Sequence, residues 1–261
     1  MKKVVIQAAV VGLALVAGQF TGTARAEDPA DRFSLTASAA VVSEYYFRGI
    51  SQSLSDDDIK PAFQPGVEAG FKINDMVSAY AGLWGSNVDF NNGTSAETDA
   101  FTGFRFTMDK AALDLGYIYY GYLENNNSSQ AYSEVKAVGS YDLGFVVPTV
   151  GAYYSPNYFA DSGKALYVTG GVSVPIPVTD FQPKIVANVG HQSIDKNSAF
   201  GTKDYMDWNV GLYATFFGVT AGVQYVDNNL SKSDTPNTTC TSQGDPCSAA
   251  AVFSLAYSYT F

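Results

Sequence analysis

The chain holds one histidine, two cysteines, two tryptophans and four methionines among 261 residues. With one histidine and two cysteines the chain shows no zinc motif, so the sequence implies no metal. No phosphate-cradling glycine loop or nucleotide fingerprint is present, so no cofactor is implied either. Charged residues make up only 15%, and acids outnumber bases 25 to 15. That balance lacks the basic patches nucleic acid demands, which excludes it as a partner. Past residue 20, no run approaches the roughly 20 apolar residues a spanning helix needs.

The N-terminus carries its own signal. Lys2 and Lys3 precede an apolar run from Val4 to Phe20, and Ala24-Arg25-Ala26 has the form of a small-residue cleavage site. Residues 1–26 therefore read as a cleaved signal peptide and 27–261 as the exported domain. Losing Lys2, Lys3 and Arg25 would take the formal charge from −10 to −13.

What the chain has in quantity is Tyr (18), Phe (17) and Gly (24), a composition suited to an aromatic-rich all-β protein. Its last thirteen residues show why. Phe253, Leu255, Tyr257, Tyr259 and Phe261 take every second position, with Ser254, Ala256, Ser258 and Thr260 between them. A period of two marks a strand with one apolar face. Ending in an aromatic, it has the pattern that barrel-assembly machinery recognises. Left unpaired, so apolar a strand would aggregate; in a closed barrel it has no free edge.

The same pattern recurs from Phe33 through Arg48, and again near residues 69, 82, 103, 117, 136, 150, 170, 187, 211 and 222. The fold class is therefore all-β, an antiparallel transmembrane β-barrel of about twelve strands. Short connections fall at Asn74-Asp75, Asp109-Lys110, Asp142 to Gly144, Pro175 to Asp180 and Phe217-Gly218. Long polar ones occupy 49–60, 89–97, 124–130, 156–164, 193–203 and 227–248. Short periplasmic turns and long extracellular loops are what outer-membrane barrels show.

Register follows from the turns. A two-residue turn at Asp109-Lys110 sets Met108 against Ala111, Phe106 against Leu113 and Phe104 against Leu115. It also sets Arg105 against Asp114. A turn at Phe217-Gly218 sets Phe216, Ala214 and Leu212 against Val219, Ala221 and Val223.

With the apolar parity toward lipid, Glu44, Arg48, Glu68, Lys72, Arg105, Asp114, Glu134, Lys136, Lys184 and Asp207 face the interior as channel-lining residues. The list holds five acids and five bases, an interior near neutral by count, while the negative charge gathers in loops. A polar lumen reads as a wetted path for solutes or as a plug of salt bridges. Aromatic groups at Tyr45 to Phe47, Tyr117 to Tyr122, Tyr153-Tyr154 and Tyr257 to Phe261 suit girdles at headgroup level.

Ser43 to Ser53 (SEYYFRGISQS), Pro61-Ala62-Phe63-Gln64 and Tyr80 to Val88 (YAGLWGSNV) together resemble the TorF-type porin family. The acidic Leu54 to Lys60 lengthens the intervening segment here. The resemblance implies an outer-membrane barrel of porin type and names no solute.

Four smaller features bear on chemistry. His191 and Ser193 form an H-x-S pair on the lipid-facing parity, with Asp195 nearby, as in outer-membrane lipid deacylases. This is the alternative to a non-enzymatic barrel. Cys240 and Cys247 are close enough to pair as a disulfide in an oxidising compartment. Asn237-Thr238-Thr239 matches a glycosylation sequon. Asp56-Asp57-Asp58 is an acidic run without calcium-loop spacing.

The expected function is passive diffusion of small hydrophilic solutes across a Gram-negative outer membrane, with cations favoured by the acidic loops. A plugged barrel with a structural or ligand-binding role is the other non-enzymatic outcome. Outer-membrane lipid and lipopolysaccharide, and the barrel-assembly machinery, are the expected partners. The sequence leaves monomer and oligomer open.

Overall fold

The computed structural model describes residues 32–54, 60–123, 130–177, 181–234, 238–242 and 244–261. The leader at 1–26, the acidic run at 56–58 and Asn237 lie outside the described residues. Twelve antiparallel strands close into a single barrel. In chain order they are β1 Phe33–Val42, β2 Ala62–Lys72, β3 Val77–Asn87, β4 Ala96–Met108, β5 Ala111–Leu123 and β6 Tyr132–Tyr141. There follow β7 Val147–Ser155, β8 Ala165–Pro175, β9 Lys184–Ile194, β10 Tyr205–Phe216, β11 Val219–Asn228 and β12 Ala250–Thr260. Each strand pairs with its chain neighbours, and β12 returns to β1 from Thr36↔Thr260 to Val42↔Ser254. The sheet has no free edge.

The pairing at the tight turns is the one the sequence dictates. Arg105 lies opposite Asp114, Phe104 opposite Leu115, and Phe216 opposite Val219. Asp109 takes a positive φ, as do Phe217 and Gly218, which lets two residues reverse each hairpin. The apolar parity points outward: Leu83, Phe104, Val150, Phe253 and Leu255 are all exposed on the outer wall. The other parity turns inward, where Glu134, Asp114, Asp207 and Tyr80 are buried.

One expectation fails. The alternating run from Phe33 to Arg48 is not a single long strand: β1 stops at Val42. Beyond it, Tyr46–Phe47 pairs with Ile50–Ser51 as a small separate hairpin. Arg48 and Gly49 form its tip, with φ of 48° and 76°. The polar alternation continues through Glu44 and Arg48, so periodicity alone does not show the break. The Arg-Gly pair supplies it, because glycine adopts a positive φ without steric penalty.

This hairpin folds into the barrel. Its tip reaches Glu134 on β6, Tyr153 on β7, Tyr167 on β8 and Gln192 on β9. Those strands lie across the barrel from β1. Glu44 and Arg48 are therefore carried on a plug inside the wall.

Candidate functional site

The plug's charged contact with the wall is the guanidinium of Arg48. Arg48 Nη1 donates to Glu134 Oε1 at 2.9 Å and to Gln192 Oε1 at 2.7 Å, while Nη2 donates to Glu134 Oε2 at 2.7 Å. The fork is bidentate, the geometry that fixes orientation best. Tyr120 Oη donates to the same Glu134 carboxylate at 3.0 Å. Rings of Phe47, Tyr153 and Tyr167 surround the cation, with centroids at 4.7, 5.3 and 4.2 Å. Burial opposes the charge on Arg48, but Glu134 outweighs it and holds the guanidinium protonated.

The hairpin is fastened at further points. Asn228 Nδ2 donates to the carbonyls of Gly49 at 2.6 Å and Cys247 at 3.0 Å. The Ser51 amide donates to the Pro246 carbonyl at 2.8 Å. Lys60 Nζ lies 3.5 Å from Glu44 Oε1. Gly49 is pressed so close to β10 that an added Cβ would fall 2.8 Å from the Asp207 Cβ. Cys240 and Cys247 are joined as a disulfide, with a Cα–Cα distance of 5.1 Å. Both are buried and pack with Ile50 of the plug and Tyr205 of the wall.

Around the plug the extracellular half of the interior is filled with packed side chains. Tyr45, Tyr120 and Tyr205 are fully buried. Tyr132 stacks on Tyr120 at 4.4 Å, and Tyr158 packs edge-on against Tyr132 at 4.6 Å. Burial pushes the Tyr158 phenol up to about 12 and holds that of Tyr45 well above its usual value, with Glu97 adding to the latter effect. Both phenols are neutral donors at physiological pH. Tyr45, Tyr46, Phe47, Tyr120 and Tyr153, expected in headgroup girdles, are therefore interior residues. Tyr117, Tyr119, Tyr154, Tyr257, Tyr259 and Phe261 are exposed on the outer wall. Adjacent tyrosines in a strand point to opposite sides, so one cluster serves both faces.

Toward the short turns a second polar cluster spans β2 to β6. Arg105 is bidentate to Glu68, at 2.6 and 2.8 Å, and its Nε lies 3.8 Å from Asp114 Oδ2. The predicted Arg105–Asp114 pair is present, but Glu68 is the closer partner. Asp114 is held instead by Lys136 Nζ at 3.0 Å and by the Tyr80 hydroxyl at 2.6 Å. Tyr80 lies across β4 and β5, where a Cβ at Gly103 or Gly116 would fall 2.6 Å from its hydroxyl oxygen. Glycine at both positions lets the ring lie against the wall.

None of the ten predicted interior residues is exposed. The clusters gather Arg48 with Glu134, and Glu68, Arg105, Asp114 and Lys136 with one another. Lys72 pairs instead with Asp75 in the turn, at 3.0 Å. Asp207 accepts from the Tyr167 hydroxyl at 3.1 Å. Lys184 joins neither cluster.

Glu97 and Asp99, absent from the predicted interior set, are both buried on the inner face of β4. Glu97 falls in the loop predicted at 89–97, yet both share the parity of Arg105, the signal that places them inside. With them the extracellular half holds Glu44, Glu97, Asp99, Glu134 and Asp207 against Arg48 and Lys60. Cations prevail in the other half, where Lys72, Arg105, Lys136 and Lys184 face Glu68 and Asp114. Acidic and basic side chains thus divide unevenly along the axis of the interior.

His191 is exposed on the outer wall and Ser193 is half-buried beside it on β9, directly opposite Val168 and Leu166. No hydrogen bond joins the two side chains among the described residues.

A family model described as a bacterial protein of unknown function, Gcw_chp, matches residues 26–259. No curated protein matches the chain. Among solved structures, one from work on the in-meso crystallization of membrane proteins superposes with a TM-score of 0.54 at 11% identity, covering 87% of this chain and 84% of the other. The NanC porin gives 0.50 at 9% identity, over 86% of this chain and 98% of its own. An outer membrane channel from Pseudomonas putida F1 gives 0.49 at 9%, over 90% and 100%. At such identities the first two show a shared barrel fold.

Proposed function

We propose, for a chain that belongs to the Gcw_chp family of bacterial proteins of unknown function, a porin-like channel of the Gram-negative outer membrane, closed at rest by its own first loop. The observation that carries this reading is the Arg48 latch, a reversible polar clasp that holds a plug above a charged interior. Plug and wall meet through side-chain bonds that can exchange for water, so the hairpin can leave without any barrel strand unpairing. The resemblance of residues 43–53 to TorF-type porins supports the same reading, since that segment is the plug. Small hydrophilic solutes would pass when the hairpin lifts, and the excess of carboxylates in the extracellular half favours cations.

A second reading rests on the aromatic packing around Tyr45, Tyr120 and Tyr205: a permanently plugged barrel presenting its loops as a surface. Planar-bilayer recording separates the two. Wild-type protein is expected to open rarely and briefly, and a variant with residues 45–52 replaced by a glycine–serine linker to conduct steadily. Folded protein that carries no current in either form overturns the channel.

A further inference from the structure

We infer that Glu97, Asp99 and the rings around them form a binding site for a small organic ammonium ion, under the plug in the extracellular half of the barrel. This deepens the channel reading by naming a solute class. Asp99 sits in register between Trp84 on β3 and Tyr120 on β5, and Glu97 sits between Ser86 and Tyr122. Asp99 is 1% exposed and Glu97 2%. Among the described residues neither has a Lys or Arg partner. Both carboxylate oxygens of Asp99 are buried without a hydrogen-bond donor. Glu97 accepts from the Tyr45 hydroxyl at 3.4 Å and lies within hydrogen-bonding reach of Asp99, with no other donor among the described residues.

A buried carboxylate without a cationic partner is costly in its charged form, and the component that would favour that form is positive. The surroundings select which cation. A hard metal ion needs several oxygen ligands, and among the described residues no group of three His, Cys, Asp or Glu could hold one. Aromatic side chains fill the remaining positions instead: Tyr45 packs edge-on to Trp84 at 5.6 Å, and Tyr120 flanks Asp99. Carboxylates set among aromatic rings match an alkylammonium head, whose charge pairs with the acids while its carbon meets a π-face. Tyr45 belongs to the plug, so the hairpin that closes the barrel also roofs the site.

Trp84 supplies the readout. The other tryptophan, Trp208, lies on the outward parity of β10, so a Trp208→Phe background isolates the site's emission. Full-length folded protein in detergent is titrated with methylammonium chloride, ionic strength being held with lithium chloride, and in parallel with sodium chloride. The expected result is a saturable change in Trp84 emission with methylammonium that sodium does not reproduce. It should weaken about tenfold or more in Asp99→Asn and in Glu97→Gln, as the loss of a charged hydrogen bond predicts. The same titration in Arg48→Met, where the plug is unlatched, removes access as an obstacle. A flat titration in both backgrounds, as a proton shared by the two acids would give, overturns the site. So does an equal response to sodium, or a response that survives the paired Asp99→Asn/Glu97→Gln change. Conductance stands apart: a conducting barrel that ignores methylammonium loses this site and keeps its channel.

Discussion

Arg48 concentrates the plug's specificity in one side chain. Its side chain and that of Glu134 are 5% and 1% exposed, so desolvation cancels much of their attraction. The pair therefore fixes where the hairpin sits more than it adds stability. Removing one member is costlier than the pair is worth, because the survivor is left buried and alone. Arg48→Met is expected to cost about 3–5 kcal/mol and to raise open probability. Arg48→Met combined with Glu134→Gln should cost less than the sum of the single changes. Unfolding midpoints in detergent and single-channel records check both. Arg48 was legible as an interior residue from its parity with Glu44. Its true position was not, since a strand and an inward-turning hairpin share the same alternation up to the tip. Glu97 and Asp99 are hard to read for the converse reason: β4 carries no large outward apolar side chain before Phe104, so the start of its alternation is faint.

Among the elements, the wall was readable and the loops were not. Each strand carries period-two alternation against lipid, and the turns at Asp109-Lys110 and Phe217-Gly218 fix register within a residue. Nothing periodic encodes where a loop docks, because the plug is placed by partners remote in sequence. The final loop illustrates this. Its disulfide packs on Ile50, and the carbonyl of Cys247 accepts from Asn228, which also holds Gly49. Replacing both cysteines by alanine should release about 2–3 kcal/mol of loop ordering in the chain-entropy picture. Openings should become more frequent. The barrel should still resist unfolding in detergent as before, since the bridge spans no wall strand. Electrophoretic mobility before and after heating, together with channel records, measures the two effects separately.

Over the whole molecule, the uneven division of charge along the axis predicts a directional current. Cations enrich at the acidic extracellular end and anions at the basic end. A voltage positive on the extracellular side drives both toward the middle and raises conductance; the opposite polarity depletes the lumen. The linker variant is therefore expected to pass more current with the extracellular side positive. Glu97→Gln with Asp99→Asn should diminish the asymmetry. At 1 M salt, where screening reaches only about 3 Å, it should vanish.

The hairpin inside the barrel comes second in the chain, yet its anchors come late. Arg48 is separated from Glu134 by 86 residues and from Gln192 by 144, and Gly49 from Asn228 by 179. Contacts of such span form only after the intervening chain has been organised. On the proposed channel reading, a newly inserted molecule is expected to pass through an unsealed state, and cells making it to show a leak whose size tracks the rate of synthesis and not the amount already matured.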